Sequence, residues 1–206
     1  MTAPFSPPNL QNPTVVKILT AAGAEFAARG YQGASTKLIS QRAGVSKSLL
    51  HYHFQSKEHI LFELQGKLFR DVAASVRRMS MAGTPSMDQA LAALDKVWEM
   101  TVQVKQYIPL VMDLWKLSVS QPKLREQQDA LELECLALLV AGLHQTLGPH
   151  VDDLIIPAER VAQLLLATLG GLAMQLMSNE AVARQSFVDL KMLLGNLLVE
   201  QESNHG

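Results

Sequence analysis

The stretch from Thr36 to Phe54, TKLISQRAGVSKSLLHYHF, holds two short helical patterns separated by a single glycine. Few arrangements satisfy such a stretch, and the one it fits is a helix-turn-helix. Gly44 supplies the sharp turn, where a positive φ costs a glycine little. Ile39, Val45 and Leu50 are apolar where the two helices must pack on a preceding one, and Ser40 is small where they cross closely. Ser46, Lys47, Ser48, Leu49, His51 and Tyr52 are left pointing outward. Lys, Ser, His and Tyr on an exposed helix suit a major groove and its flanking phosphates.

The rest of the chain predicts more helix. Leu, Ala and Met outweigh β-branched residues, aromatics are 5% of the 206 residues, and no stretch sustains β alternation. With 48% apolar residues, the chain can bury a core. Helix starts are marked by Asn12-Pro13, Ser35-Thr36, Ser46, Ser56, Pro109, Pro122 and Pro157, and stops by Gly30, Gly44, Gly83 and Gly148. The reading is all-α with about nine helices, the last over about 184–201. Residues 1–12 are expected as a proline-containing arm, 13–56 as the helix-turn-helix domain and 57–206 as a larger helical domain. The start of the chain has no basic region and no apolar run, so it does not read as a signal peptide. The lone Cys135 excludes a disulfide framework and a cysteine-based zinc site, and it fits a reducing cytoplasm.

A net charge of −1 conceals an asymmetry. Residues 1–70 hold eight Lys/Arg against three Asp/Glu (+5), and residues 71–206 hold ten against sixteen (−6). The basic front points to an anionic partner for that part alone.

The run ILTAAGAEFAARGYQGASTKLISQRAGVSKSLLHYHFQSKEHILFEL, Ile18 to Leu64, resembles the TetR family of one-component transcriptional regulators. AEFAARGYQGAST, AGVSKSLLHYHF and SKEHIL carry the resemblance together, over about a quarter of the chain. It implies that Thr36 and Lys37 touch phosphates or groove edges, and that Ser46, Lys47 and Ser48 begin the recognition helix. It further implies that His51 and Tyr52 contact DNA and that Lys57 binds a phosphate. Leu49 stands where a polar or small residue is common and suits a thymine methyl; Leu38 replaces a usual charged residue. His53 and Phe54 read as structural, with Phe54 plugging the small core. His51 and His53 face different sides of a helix and make a poor chelate.

For the larger domain the resemblance implies a small-molecule pocket and a dimer. Trp98, Met112, Trp115, Cys135 and His144 are the candidate pocket residues, His144 because it interrupts the apolar run LALLVAGLHQTL. Residues 161–177 are nearly uncharged but read as too short for a membrane span, so burial is expected instead. Leu165, Leu169, Leu172, Leu176, Leu190, Leu194 and Leu197 are the candidates for pairing with a second copy in a four-helix bundle.

The expected function is a homodimeric repressor on a palindromic double-stranded operator, released by a small apolar or amphipathic effector. The alternatives are a corepressor-dependent regulator, a regulator acting through protein contacts, and an enzyme. No nucleophile elbow, phosphate loop or Glu-x-x-His metal pair appears. No cofactor and no metal are expected.

Overall fold

The computed structural model describes residues 8–80 and 84–199, without the side chains of Val76, Met79, Ser80 and residues 196–199. Residues 1–7 of the expected arm and the break at Gly83 lie outside them. Among the described residues there are nine α-helices, two short 3-10 segments and no strand. The helices are α1 (Pro13–Gly33), α2 (Thr36–Ala43), α3 (Lys47–His53), α4 (Lys57–Ser80), α5 (Met87–Gln103), α6 (Ile108–Ser120), α7 (Pro122–Leu147), α8 (Ala158–Ser178) and α9 (Glu180–Val199).

Local chemistry sets most of these limits. The Asn12 side chain accepts from the Thr14 N–H at 2.8 Å, with proline at the first helical position. Ser35, Ser46 and Ser56 cap α2, α3 and α4 in the same way, each accepting from an N–H three residues on at 3.1–3.2 Å. Gly44 closes α2 in the left-handed region, φ 66° and ψ 34°. Gly30, φ 66° and ψ 173°, breaks α1 from within, and a last turn runs on to Gly33. The final helix begins at Glu180, earlier than expected: Asn179 caps it by accepting from Val182 N–H at 3.2 Å.

Two compact units form, with α4 and α7 each running through both. The first holds the described residues up to Phe69 together with Gln106–Leu131. Its core is Val15, Ile18, Leu19, Phe26, Ile39, Leu50, Phe54, Ile60, Leu61, Leu110 and Leu114, all buried. The expected boundary at residue 57 thus falls inside it. Tyr107, at the turn into α6, approaches α1 so closely at Gly23 that a Cβ there would lie 3.3 Å from its hydroxyl oxygen.

The second unit, Arg70–Lys105 with Glu132 onward, packs α8 on α9 and both on α5. Trp98 stacks on Phe187 with ring centroids 4.7 Å apart and planes 9° apart. Lys191 holds Asp95 with contacts of 2.6 and 2.7 Å, and the Ser86 N–H donates to the Thr146 carbonyl at 2.8 Å. By length and composition α8 and the stretch Pro122–Asp153 suffice to cross a membrane, so the expectation of a too-short apolar run is corrected: α8 starts before residue 161 and reaches 21 residues.

Candidate DNA-binding face

α3 has seven residues, too few to hold its shape unaided, so its placement depends on its ends and its buried side. Ser46 caps the start. Leu50 and Phe54 are fully buried, and the Phe54 ring meets the His59 ring edge-on at 5.4 Å. The other side is open: Ser46, Lys47, Ser48, Leu49, His51 and Tyr52 are all exposed, and His53 is half-buried. Tyr52 is 82% exposed, its ring touching only the edge of the His53 ring among aromatic neighbours, at 5.0 Å. Leu49 is 40% exposed. A tyrosine and a leucine thus stand in water among Lys, Ser and His.

α2 lies across this helix with Ile39 fully buried. Ser40 is buried as well, and its hydroxyl donates to the Lys37 carbonyl at 2.9 Å. At the start of α2, Lys37 is exposed and Thr36 half-buried.

An acid in the apolar face of α1 braces the pair. Glu25 is buried and accepts from Arg42 Nε at 2.6 Å and Arg29 Nε at 2.9 Å. The Arg42 hydrogen bond, helped by Arg29 and opposed by burial, holds its carboxyl below the ordinary 4.5. Sequence reasoning passed over this tie, whose one signal was a charge interrupting the stripe Ile18, Ala22, Phe26.

A second tie reaches α4. Tyr31, placed by the turn at Gly30, is buried, and its hydroxyl donates to the Glu58 carboxylate. Burial, then Glu58, pushes the Tyr31 phenol well above its usual range. Burial works against the Glu58 carboxylate, but the hydrogen bonds from Tyr31, its own backbone N–H and Ser56, with the charge of Lys57, together outweigh it and its pKa is lowered. Lys57, expected to face a phosphate, donates its ammonium to the carbonyls of Tyr31 at 2.8 Å and Ala34 at 3.0 Å, and lies 4.2 Å from the centre of the Tyr31 ring.

The five candidate pocket residues are not gathered in one unit. Trp98 and Cys135 are buried in the second unit and His144 is exposed there. Met112, half-buried, and Trp115, 61% exposed, belong to the first. Burial, then Glu134, pushes the Cys135 thiol up to about 12, which makes it an inert core sulfur. The second unit has an open groove of about 470 Å³ lined by Leu136, Ala137, Val140 and Ala141 of α7 with Glu159 and Gln163 of α8, none of them among the five. Among the described residues, no group of three or more His, Cys, Asp or Glu is arranged to hold a metal ion.

The expected pairing leucines also divide. Leu172 and Leu176 are buried by the chain's own packing, so they are not free to meet a second copy. Leu165, Leu169, Leu190 and Leu194 are half-buried, and the Leu197 side chain lies outside the described residues. The open apolar surface is the adjoining face: Leu164, Met174 and Met177 of α8, and Val188, Met192 and Leu193 of α9, each more than half exposed.

Residues 18–64 match the family described as bacterial regulatory proteins, tetR family. Among curated proteins, the chain is 27% identical over 138 residues to the HTH-type transcriptional regulator BetI of Vibrio vulnificus (strain YJ016), covering 66% of this chain and 69% of that protein. Its fold matches the transcriptional regulator FadR from Bacillus subtilis in complex with stearoyl-CoA, with a TM-score of 0.67, 17% identity, and coverage of 89% of this chain and 97% of that one. It also matches a transcriptional regulator from Saccharomonospora viridis in complex with choline, with a TM-score of 0.63, 20% identity, and coverage of 85% and 93%.

Proposed function

We propose that the chain is a DNA-binding transcriptional regulator of the TetR type rather than an enzyme, and that it acts in the cytoplasm as a homodimeric repressor whose operator is a palindrome. The observation that carries this reading is the outer side of α3, with five exposed side chains, and a sixth on its cap Ser46, on a helix fixed from behind by Leu50 and Phe54. Lys47, Ser48, Leu49, His51 and Tyr52 enter the major groove, and Thr36 and Lys37 meet the adjoining phosphates.

The dimer forms through the exposed apolar face of α8 and α9. This face accounts for α8 being apolar enough for a membrane yet bearing Gln163 and Gln175: it covers a second copy rather than lipid. Exposed Gly170 and Gly171 on the same helix leave room for close approach. Two-fold symmetry sets the two α3 helices on half-sites about 34–36 Å apart, or a multiple of that.

A small apolar or amphipathic effector binds the larger helical part and releases the operator by reciprocal coupling. Ligands named for the similar structures, stearoyl-CoA and choline, support a small-molecule effector. The test is selection of binding sites from a random-sequence duplex library. The expected result is a palindromic consensus whose half-sites keep one fixed spacing. An asymmetric consensus contradicts the dimer reading, and recovery of no sequence above background contradicts operator recognition.

A further inference from the structure

We infer that Lys57 and Tyr31 are positioning residues, a clamp that fixes the first turn of α4 to the α1–α2 corner and thereby sets where the DNA-facing end of α2 stands. This rests on the reading above, in which Thr36 and Lys37 meet DNA. It gives Lys57 a different task from the phosphate contact implied by the family resemblance.

The corner is a place where backbone carbonyls need partners. α1 is broken at Gly30, and the chain then passes through Ala34 into the cap of α2, so carbonyls here lie outside regular helix pairing. The Lys57 ammonium takes two of them, Tyr31 O and Ala34 O, and its charge also lies over the Tyr31 ring. Ala34 and Tyr31 are buried at 2% and 4% exposure, so water does not readily replace the ammonium. Swinging Lys57 out to a phosphate leaves both carbonyls unserved.

The second half of the clamp is the next residue. Glu58 accepts the Tyr31 hydroxyl, so two successive residues of α4 hold one corner from two sides. A pair of ties fixes rotation as well as distance, which a single contact does not. Ala34 is the residue before the Ser35 cap, and Thr36 and Lys37 follow at once. A displacement of the start of α4 therefore reaches the DNA-facing end of α2 through one carbonyl and two peptide units.

The experiment is a salt titration of binding to the selected duplex, read by fluorescence anisotropy. It compares the wild-type protein with Lys57→Met, Lys57→Arg, Tyr31→Phe and, as a phosphate-contact reference, Lys37→Met. A lost phosphate contact flattens the slope of log affinity against log salt by about 0.9 per subunit. The clamp predicts that Lys57→Met weakens binding about tenfold, the scale of one charge-assisted hydrogen bond, with the slope unchanged. Tyr31→Phe, which keeps the ring and loses the hydroxyl, weakens binding in the same direction, again with the slope unchanged. Lys57→Arg also weakens it, because a planar fork does not replace a compact ammonium between two carbonyls. The clamp is overturned if Lys57→Met flattens the slope as Lys37→Met does, if Lys57→Arg binds like wild type, or if both Lys57→Met and Tyr31→Phe leave affinity unchanged. Where Lys57→Met does not fold, Tyr31→Phe decides by its affinity. A wild-type protein that binds no duplex overturns the proposed function itself and not the clamp alone.

Discussion

Tyr52 and Phe54 are two aromatic residues two positions apart, and the structure assigns them opposite consequences. Phe54 is fully buried with its ring against His59. Phe54→Ala removes a whole ring from a packed site, at a cost of about 3–5 kcal/mol. For a chain of this length that corresponds to a fall in melting temperature of about 6–20 °C. Tyr52 is 82% exposed, so Tyr52→Ala removes little buried surface and alters stability by about 0.5 kcal/mol or less. Its cost falls on DNA binding instead. A good side chain–base contact is worth about 1–3 kcal/mol, and a symmetric dimer loses it twice, giving about 2–6 kcal/mol, or about 30-fold to about 10⁴-fold in affinity. The assay pairs thermal denaturation with anisotropy on the selected duplex. A Tyr52→Ala protein that melts several degrees lower, or that binds the duplex within threefold of wild type, refutes the placement of this helix face on DNA.

Three further outcomes follow from the geometry. Leu164→Glu, on the exposed face of α8, leaves helix content intact and shifts sedimentation toward the monomer, whereas Leu172→Glu, at a site 5% exposed, unfolds the second unit. Gly44→Ala costs about 1–2 kcal/mol from its positive φ alone, since no atom lies near the added Cβ, while Gly148→Ala costs more because its Cβ falls 2.7 Å from Pro85 Cβ; denaturation midpoints check the order. The Glu25 carboxyl is depressed in the folded chain, chiefly by Arg42, so its contribution is whole above the ordinary 4.5 and is lost as pH falls through the lower folded value. Wild type therefore loses more stability than Glu25→Gln as pH drops below about 4.5, measured as urea midpoint against pH.

What the sequence discloses of this molecule is mainly what short-range chemistry decides. Asn12, Ser35, Gly44, Ser46 and Ser56 act on N–H groups or dihedrals within a few residues, and each does in the structure what its local pattern predicts. The division of α3 into a buried Leu50–Phe54 side and an exposed Tyr52 side follows from helical spacing in the same way. Asn179 belongs with these caps, accepting from the Val182 N–H three residues on. The pocket and pairing faces are another matter. α8 and the second half of α7 are apolar nearly all round, so spacing alone cannot tell which side meets the chain's own core. Leu172 and Leu176 face the chain's own core, and their neighbours Leu164 and Met174 do not, because of where α5 and α9 pack. Trp115 resembles a pocket residue by type and is 61% exposed. The Lys57 clamp depended on the bend at Gly30, which brings residues 26 apart in sequence together.

The most direct test of the central claim is native mass spectrometry of the protein mixed with its selected duplex, followed by denaturing mass analysis. A homodimeric regulator gives a complex of one duplex with two chains, or four where two dimers share a site, and the free protein runs as a dimer. A complex with one chain per duplex, or a free protein that stays monomeric while binding the palindrome at full affinity, contradicts the account.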